Sequence, residues 1–97
     1  MAESDIEKKF KKAEEHVRNL PKSGPFSPSR EQKLKMYSFF KQATIGDNKE
    51  KKPWAIQIEK SLKWGAWKKL EGMDKEKAME QYVLLLKQLD PDFAVNN

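Results

Sequence analysis

Tyr37-Ser38-Phe39-Phe40-Lys41-Gln42-Ala43-Thr44 is the stretch on which the reading of this chain turns. Wound as a helix, at about 100° per residue, it gathers Met36, Phe39, Phe40 and Ala43 on one side, as an ordinary core face does. Tyr37, Lys41 and Thr44 share the adjacent side, and Phe40 lies between the two groups. A phenol and an ammonium group therefore flank the edge of the core. Two readings are open on periodicity alone. Either Tyr37 and Phe40 are core and Lys41 snorkels past them, or the segment is a wall of a site that holds a ligand without reacting with it.

Working outward, Ser29 and Gln32 form a capping box that starts this helix at about Arg30, and Gly46-Asp47-Asn48 stops it after Ile45. Upstream, Ser4 with Glu7 caps a first helix. Its apolar stripe is Ile6, Phe10, Ala13, Val17 and Leu20, and Pro21 ends it. Residues 21–29 are rich in proline, glycine and serine and read as loop. Downstream, Lys49 to Lys52 is a basic exposed stretch closed by Pro53. A third helix is expected from about Ile58 to Glu71, with Ile58, Leu62, Ala66 and Leu70 as its apolar face and Gly72 as its stop. Asp74 is expected to cap a fourth helix, whose stripe is Ala78, Tyr82, Leu85 and Leu89 and which Pro91 ends. No stretch alternates like a strand. Four amphipathic helices imply an all-α four-helix bundle. The long link between the second and third helices could let those two lie parallel.

Ninety-seven residues suit one domain, expected to span 1–97. With no cysteine, disulfides and thiolate metal sites are excluded. The net charge of +5 points to an anionic partner: nucleic acid, a membrane surface or a phosphorylated small molecule. Val83-Leu84-Leu85-Leu86 is far too short to span a bilayer, so no transmembrane segment is expected. No secretory signal or lipidation box is visible, and a cytoplasmic monomer is the default expectation.

Catalysis has little support. His16 is the only histidine and reads as a surface or boundary residue. No nucleophile triad, zinc motif, Walker loop or dinucleotide fingerprint occurs, so no catalytic and no metal residues are expected. The third helix is more suggestive. Lys63-Trp64-Gly65-Ala66-Trp67-Lys68-Lys69 interleaves rings and cations, which suits a nucleotide's base and phosphates, although tryptophans one turn apart are more often core. Nucleic acid itself is disfavoured, because the basic residues are spread over every helix and no recognition motif appears.

These residues resemble a known family. Tyr37 to Asp47 is similar to the signature of acyl-CoA-binding proteins (the diazepam-binding inhibitor family): a tyrosine, an aromatic three residues on, Lys-Gln-Ala, then a glycine. Lys63-Trp64-Gly65-Ala66-Trp67 resembles the family's K-W-x-A-W, with Pro53 at the right distance before it. Ala78-Met79-Glu80-Gln81-Tyr82-Val83 looks like its last-helix motif, and Phe10, Ala13, Val17 and Leu20 fit its first helix. The match covers about residues 6 to 90.

The resemblance implies an up-down-down-up four-helix bundle that binds medium- to long-chain acyl-CoA and is not an enzyme. It further implies an intracellular carrier and pool former that meets acyl-CoA-using enzymes transiently. The alternative is an acyl-CoA-binding tethering domain of a larger membrane-associated protein. By motif, Tyr37, Lys41, Lys63 and Tyr82 would contact CoA, with the two lysines at its 3′-phosphate and Phe40 stacked on adenine. Ser38 and Phe39 share the ligand-binding segment, and Arg18 stands where the family commonly has a lysine. Four features depart from the pattern: Phe40 for the commoner tyrosine, a longer first loop, Trp54 for the usual glycine after Pro53, and Gly65 for an acidic residue.

Overall fold

The computed structural model describes residues 3–21, 24 and 26–96, the side chains of 94–96 excepted. Its helices are α1 (Asp5–Arg18), α2 (Arg30–Thr44), α3 (Ile58–Lys68), α4 (Lys75–Leu89) and the short α5 (Pro91–Asn96). Both capping boxes form. The Ser4 Oγ accepts from the Glu7 N–H and the Ser29 Oγ from the Gln32 N–H, while each partner's side chain accepts from the cap's own N–H. No strand occurs among the described residues. No described helix is long and apolar enough to cross a membrane.

The core lies among α1, α2 and α4, with Phe10, Met36, Tyr82, Val83 and Leu86 as its larger members and Phe93 of α5 closing one end. Ala13, Ala43 and Ala78 are each essentially inaccessible. One small residue per helix lets the three axes approach closely. α4 packs against α1, α2 and α5, whereas α3 packs against α2. The chain is accordingly slab-like, 41 × 38 × 18 Å.

α2 and α3 run parallel. At their starts Arg30 pairs with Glu59 at 3.4 Å. At their ends the Trp67 indole N–H donates to the Gly46 carbonyl at 2.8 Å. The long link is therefore the crossover of an up-down-down-up bundle, as expected.

Two expectations fail and a third holds in part. The third helix stops at Lys68, and a run of turns carries the chain to Gly72, whose φ of 92° ends it. Its apolar stripe is not core: Ile58 is 65% exposed, Leu62 is exposed, and Ala66 and Leu70 are half-buried. Trp67, 1% exposed, is the residue α3 buries, because this helix has only α2 to pack against. Asp74 occupies the N-cap position of α4, but its side chain makes no cap hydrogen bond. Pro91 does more than end α4. It opens α5, where a missing N–H costs a helix nothing.

Candidate functional site

The chain linking α2 to α3 is pinned by polar side chains. Gln42 is fully buried on α2, and its Nε2 donates to Asp47 Oδ1 (3.0 Å) and to the Met73 carbonyl (2.8 Å). Asp47 Oδ1 also accepts from the Gly72 N–H at 2.8 Å. These two bonds hold the Asp47 carboxyl below its usual range, the Gly72 N–H contributing most. Buried Asn48 donates to the Trp64 carbonyl at 3.1 Å, and the Trp64 indole N–H donates to the Glu50 carbonyl at 2.9 Å. With the Trp67–Gly46 bond, these contacts fix the register of α3 on α2. They place Lys63 opposite Tyr37.

The result is a cluster of rings and cations. The Lys41 Nζ lies 5.9 Å from the Tyr37 ring centroid and 4.9 Å from that of Trp67. The Lys63 Nζ, from the other helix, lies 5.5 Å from the same Tyr37 ring. Among the described residues neither lysine forms an ion pair, although five ion pairs form elsewhere. Two ammonium groups converge on one ring with neither paired to a carboxylate, and this excess of positive charge favours a bound anion although Glu50 lies near enough to act on the Tyr37 phenol. The Tyr37 hydroxyl has no hydrogen-bond partner among the described residues. Burial, with Glu50 second, raises its pKa, so it stays a donor at neutral pH.

Two depressions flank this cluster. One, of about 510 Å³ between α2, α3 and α4, is lined by Leu34, Phe39, Ala66, Leu70, Leu84 and Leu85 together with as many polar residues, among them Ser38, Lys35, Lys69 and Gln81. The other, of about 540 Å³ on the α1 side, has Phe10, Phe40, Ala43 and Met79 as its floor and Glu14 and Lys75 at its rim. On the α2 wheel Tyr37 and Lys41 lie between the Phe40–Ala43 side and the Leu34–Ser38 side. They form a polar ridge between two hollows of mixed apolar and polar lining, each within the usual size of a ligand site.

The residues expected from the sequence are thus distributed unevenly. Tyr37, Lys41 and Lys63 come together. Phe40 is half-buried at the second depression, stacked on Phe10 at 6.2 Å. Tyr82 sits behind it, 4% exposed, edge-on to Phe10 at 5.1 Å and tilted to Phe40 at 6.4 Å. Burial, with Glu14 adding to it, pushes its phenol up to about 12. Ser38 is buried and donates to the Lys35 carbonyl at 2.9 Å. Phe39 faces the first depression, away from Phe40. Arg18 is exposed at the end of α1 and pairs with Glu14 at 2.8 Å.

Sequence reasoning missed Trp67 as the floor beneath Lys41, and it missed the Gln42–Asp47–Gly72 clamp. The signal for the first was the order of rings and lysines on the third helix. For the second it was a glutamine on a core face five residues before an aspartate. His16 is the boundary residue expected. Its Nε2 lies 2.7 Å from Asp90 Oδ2, and its ring packs on Phe93. No group of three or more possible metal ligands occurs among the described residues.

Comparison with known proteins agrees with this fold and gives the family. The sequence profile of the family described as "Acyl CoA binding protein" matches residues 7–86. The chain is 43% identical over 81 residues to the acyl-CoA-binding protein homolog 3 of Caenorhabditis elegans, covering 84% of this chain and 70% of that one. It is 39% identical over 85 residues to the human acyl-CoA-binding domain-containing protein 4, covering 88% of this chain but only 32% of that much longer protein. The crystal structure of the ACBP of Moniliophthora perniciosa superposes with a TM-score of 0.81 at 38% identity, covering 93% of this chain and 92% of that one. This chain belongs to the acyl-CoA-binding protein family.

Proposed function

We propose that the chain binds fatty acyl-CoA esters of medium to long chain and carries them without reacting with them. The observation that carries the reading is the pair of lysines, Lys41 and Lys63, facing one tyrosine ring between two hollows partly lined by apolar side chains. CoA is anionic at its phosphates, flat at its adenine and, when acylated, apolar at its tail. Each part has a counterpart here.

Lys41 and Lys63 hold the 3′-phosphate, with the free Tyr37 hydroxyl as a third donor. Adenine stacks on Phe40, where Tyr82 and Phe10 keep the ring in place, and Tyr82 adds its unpartnered hydroxyl. Arg18, at the end of α1, reaches a phosphate only by giving up its pair with Glu14. The tail enters the depression between α2, α3 and α4, past Ser38 and Phe39. Burial there stabilises by about 0.8 kcal/mol per methylene before ordering costs. No proton transfer is needed, and His16 is committed to Asp90. An open site on the surface of a small bundle suits a carrier that must also release its cargo to enzymes.

Calorimetric titration with acyl-CoAs from octanoyl to eicosanoyl tests this. We expect affinity to rise with chain length from octanoyl upward, and free CoA to bind far more weakly. No heat with any chain length would end the reading.

A second role for the same site is favoured by one fact: the chain spans only 32% of the human relative. Residues 1–97 are then one acyl-CoA-binding unit, and in a longer protein the same site would serve a tethered assembly.

A further inference from the structure

Six large hydrophobic side chains are exposed among the described residues, and four of them lie between positions 54 and 62. Trp54 is 80% exposed, Ile56 is 86% exposed, and Ile58 and Leu62 follow at one helical turn from each other. The acyl-CoA reading uses none of these four side chains. Four exposed large apolar side chains within nine residues are a concentration of the kind that marks an interaction surface.

The segment is built rather than loose. The Gln57 N–H donates to the Trp54 carbonyl at 2.9 Å, closing a turn over Ala55 and Ile56. The Ser61 hydroxyl donates to that same carbonyl at 3.2 Å, tying the turn to the first turn of α3. The Ser61 N–H caps onto the Gln57 carbonyl at 2.9 Å. Trp54 and Ile56 are thereby held at the tip of a fixed turn.

The charge around the tip is predominantly positive. Lys49, Lys51, Lys52, Lys60 and Lys63 are all exposed in this stretch. The acids there are Glu50 and Glu59, and Glu59 is already paired with Arg30. An indole and aliphatic side chains ringed by lysines match the boundary between anionic headgroups and acyl chains, where tryptophan concentrates and each basic residue adds attraction. A protein partner would need an acidic rim around an apolar socket, whereas an anionic leaflet offers both in one surface.

We infer that the Trp54–Leu62 segment is a docking surface for an anionic lipid bilayer, inserting Trp54 and Ile56 while the lysines meet the headgroups. Because Lys63 follows the segment directly, docking brings the ring-and-lysine cluster close to the lipid surface. The inference stands without any bound acyl-CoA, so its failure and that of the proposed function are separable.

The test uses the intact chain without acyl-CoA and two sets of vesicles, phosphatidylcholine alone and phosphatidylcholine with phosphatidylserine. Trp67 is buried but Trp64 is only half-buried, so the part of the emission change that Trp54→Ser removes is the part that reports on Trp54. We expect blue-shifted emission, quenching by brominated acyl chains, and sedimentation with the serine-lipid vesicles that added salt weakens. The Trp54→Ser/Ile56→Ser variant should lose partitioning by about tenfold or more, and Lys51→Glu/Lys52→Glu by a similar factor. All these side chains are exposed, so an unchanged circular dichroism spectrum is expected alongside. Equal partitioning by the Trp54/Ile56 variant and the parent would overturn the inference. So would concentration-dependent self-association of the parent that the variant abolishes, with no binding to vesicles. Loss of palmitoyl-CoA affinity in the variant without any vesicle binding by the parent would overturn it as well, and would assign the patch to the acyl tail.

Discussion

Replacing Lys41 by alanine removes one of the two ammonium groups that face the Tyr37 ring. Lys41 is half-buried and lies over Trp67, so its charge is partly desolvated before any ligand arrives. A charge-assisted bond to a phosphate in such a setting is worth about 1.5–3 kcal/mol, which is a loss of roughly 10- to 150-fold in affinity for palmitoyl-CoA. The contact with the Trp67 face contributes about 0.5–1 kcal/mol to the fold, so the variant should also unfold slightly earlier in urea. Affinity therefore falls more than stability does. Lys63→Ala should lose affinity in the same range with less effect on stability, since its side chain is exposed. Because both lysines are assigned to one phosphate, the double variant should lose less than the sum, with a coupling of about 0.5–3 kcal/mol. Isothermal titration of the parent, both single variants and the double variant measures all of this. Affinities of the single variants within about twofold of the parent would refute the assignment.

Tyr37→Phe should leave stability within about 0.5 kcal/mol, because its hydroxyl has no partner among the described residues, yet weaken palmitoyl-CoA by about 0.5–1.5 kcal/mol; calorimetry beside urea melts separates the two effects. Two glycines should respond with opposite signs to alanine. Gly46 has φ +97° and would bring a Cβ to 3.4 Å from Lys75, so Gly46→Ala should cost about 1–2 kcal/mol. Gly65 is helical with open space around it, so Gly65→Ala should add about 0.5–1 kcal/mol, both read from thermal melts. Asp90 is held below its ordinary 3.8, chiefly by the His16 bond. A carboxyl with a depressed folded pKa stabilises above its unfolded value and loses that contribution as pH falls through the folded one. Stability should therefore drop as pH falls below about 4, and the drop should be shallower in Asp90→Asn, as urea midpoints across that range would show.

The helices with self-contained signals were legible in the sequence. Ser4–Glu7 and Ser29–Gln32 are local devices, and both form as read. α3 resisted because periodicity says which residues share a face but not whether another helix covers it. Ile58 and Leu62 share a face as expected, but no described element buries it. The helix is instead held by Trp67 and by hydrogen bonds from residues 46–50, which connect positions more than a dozen apart. Gln42, Ser38 and Asn48 are buried polar residues, and a hydropathy pattern ranks such residues with the surface. Of the site, Tyr37 and Lys41 could be paired from their helical spacing, whereas Lys63 joined them only through the resemblance. Tyr82 was named as a direct contact on the same ground. Its ring proves to be core behind Phe40, and only its hydroxyl is left for a ligand.

Amide chemical-shift mapping of the labelled protein titrated with palmitoyl-CoA tests the central claim most directly. The account predicts saturable shifts at one equivalent. They should centre on Tyr37, Phe40, Lys41 and Lys63 and extend to Leu34, Ala66 and Leu85, and free CoA should reproduce only the first group. Saturation with the largest shifts elsewhere, such as the Leu20–Phe26 hollow, or no saturable shift at all, would contradict it.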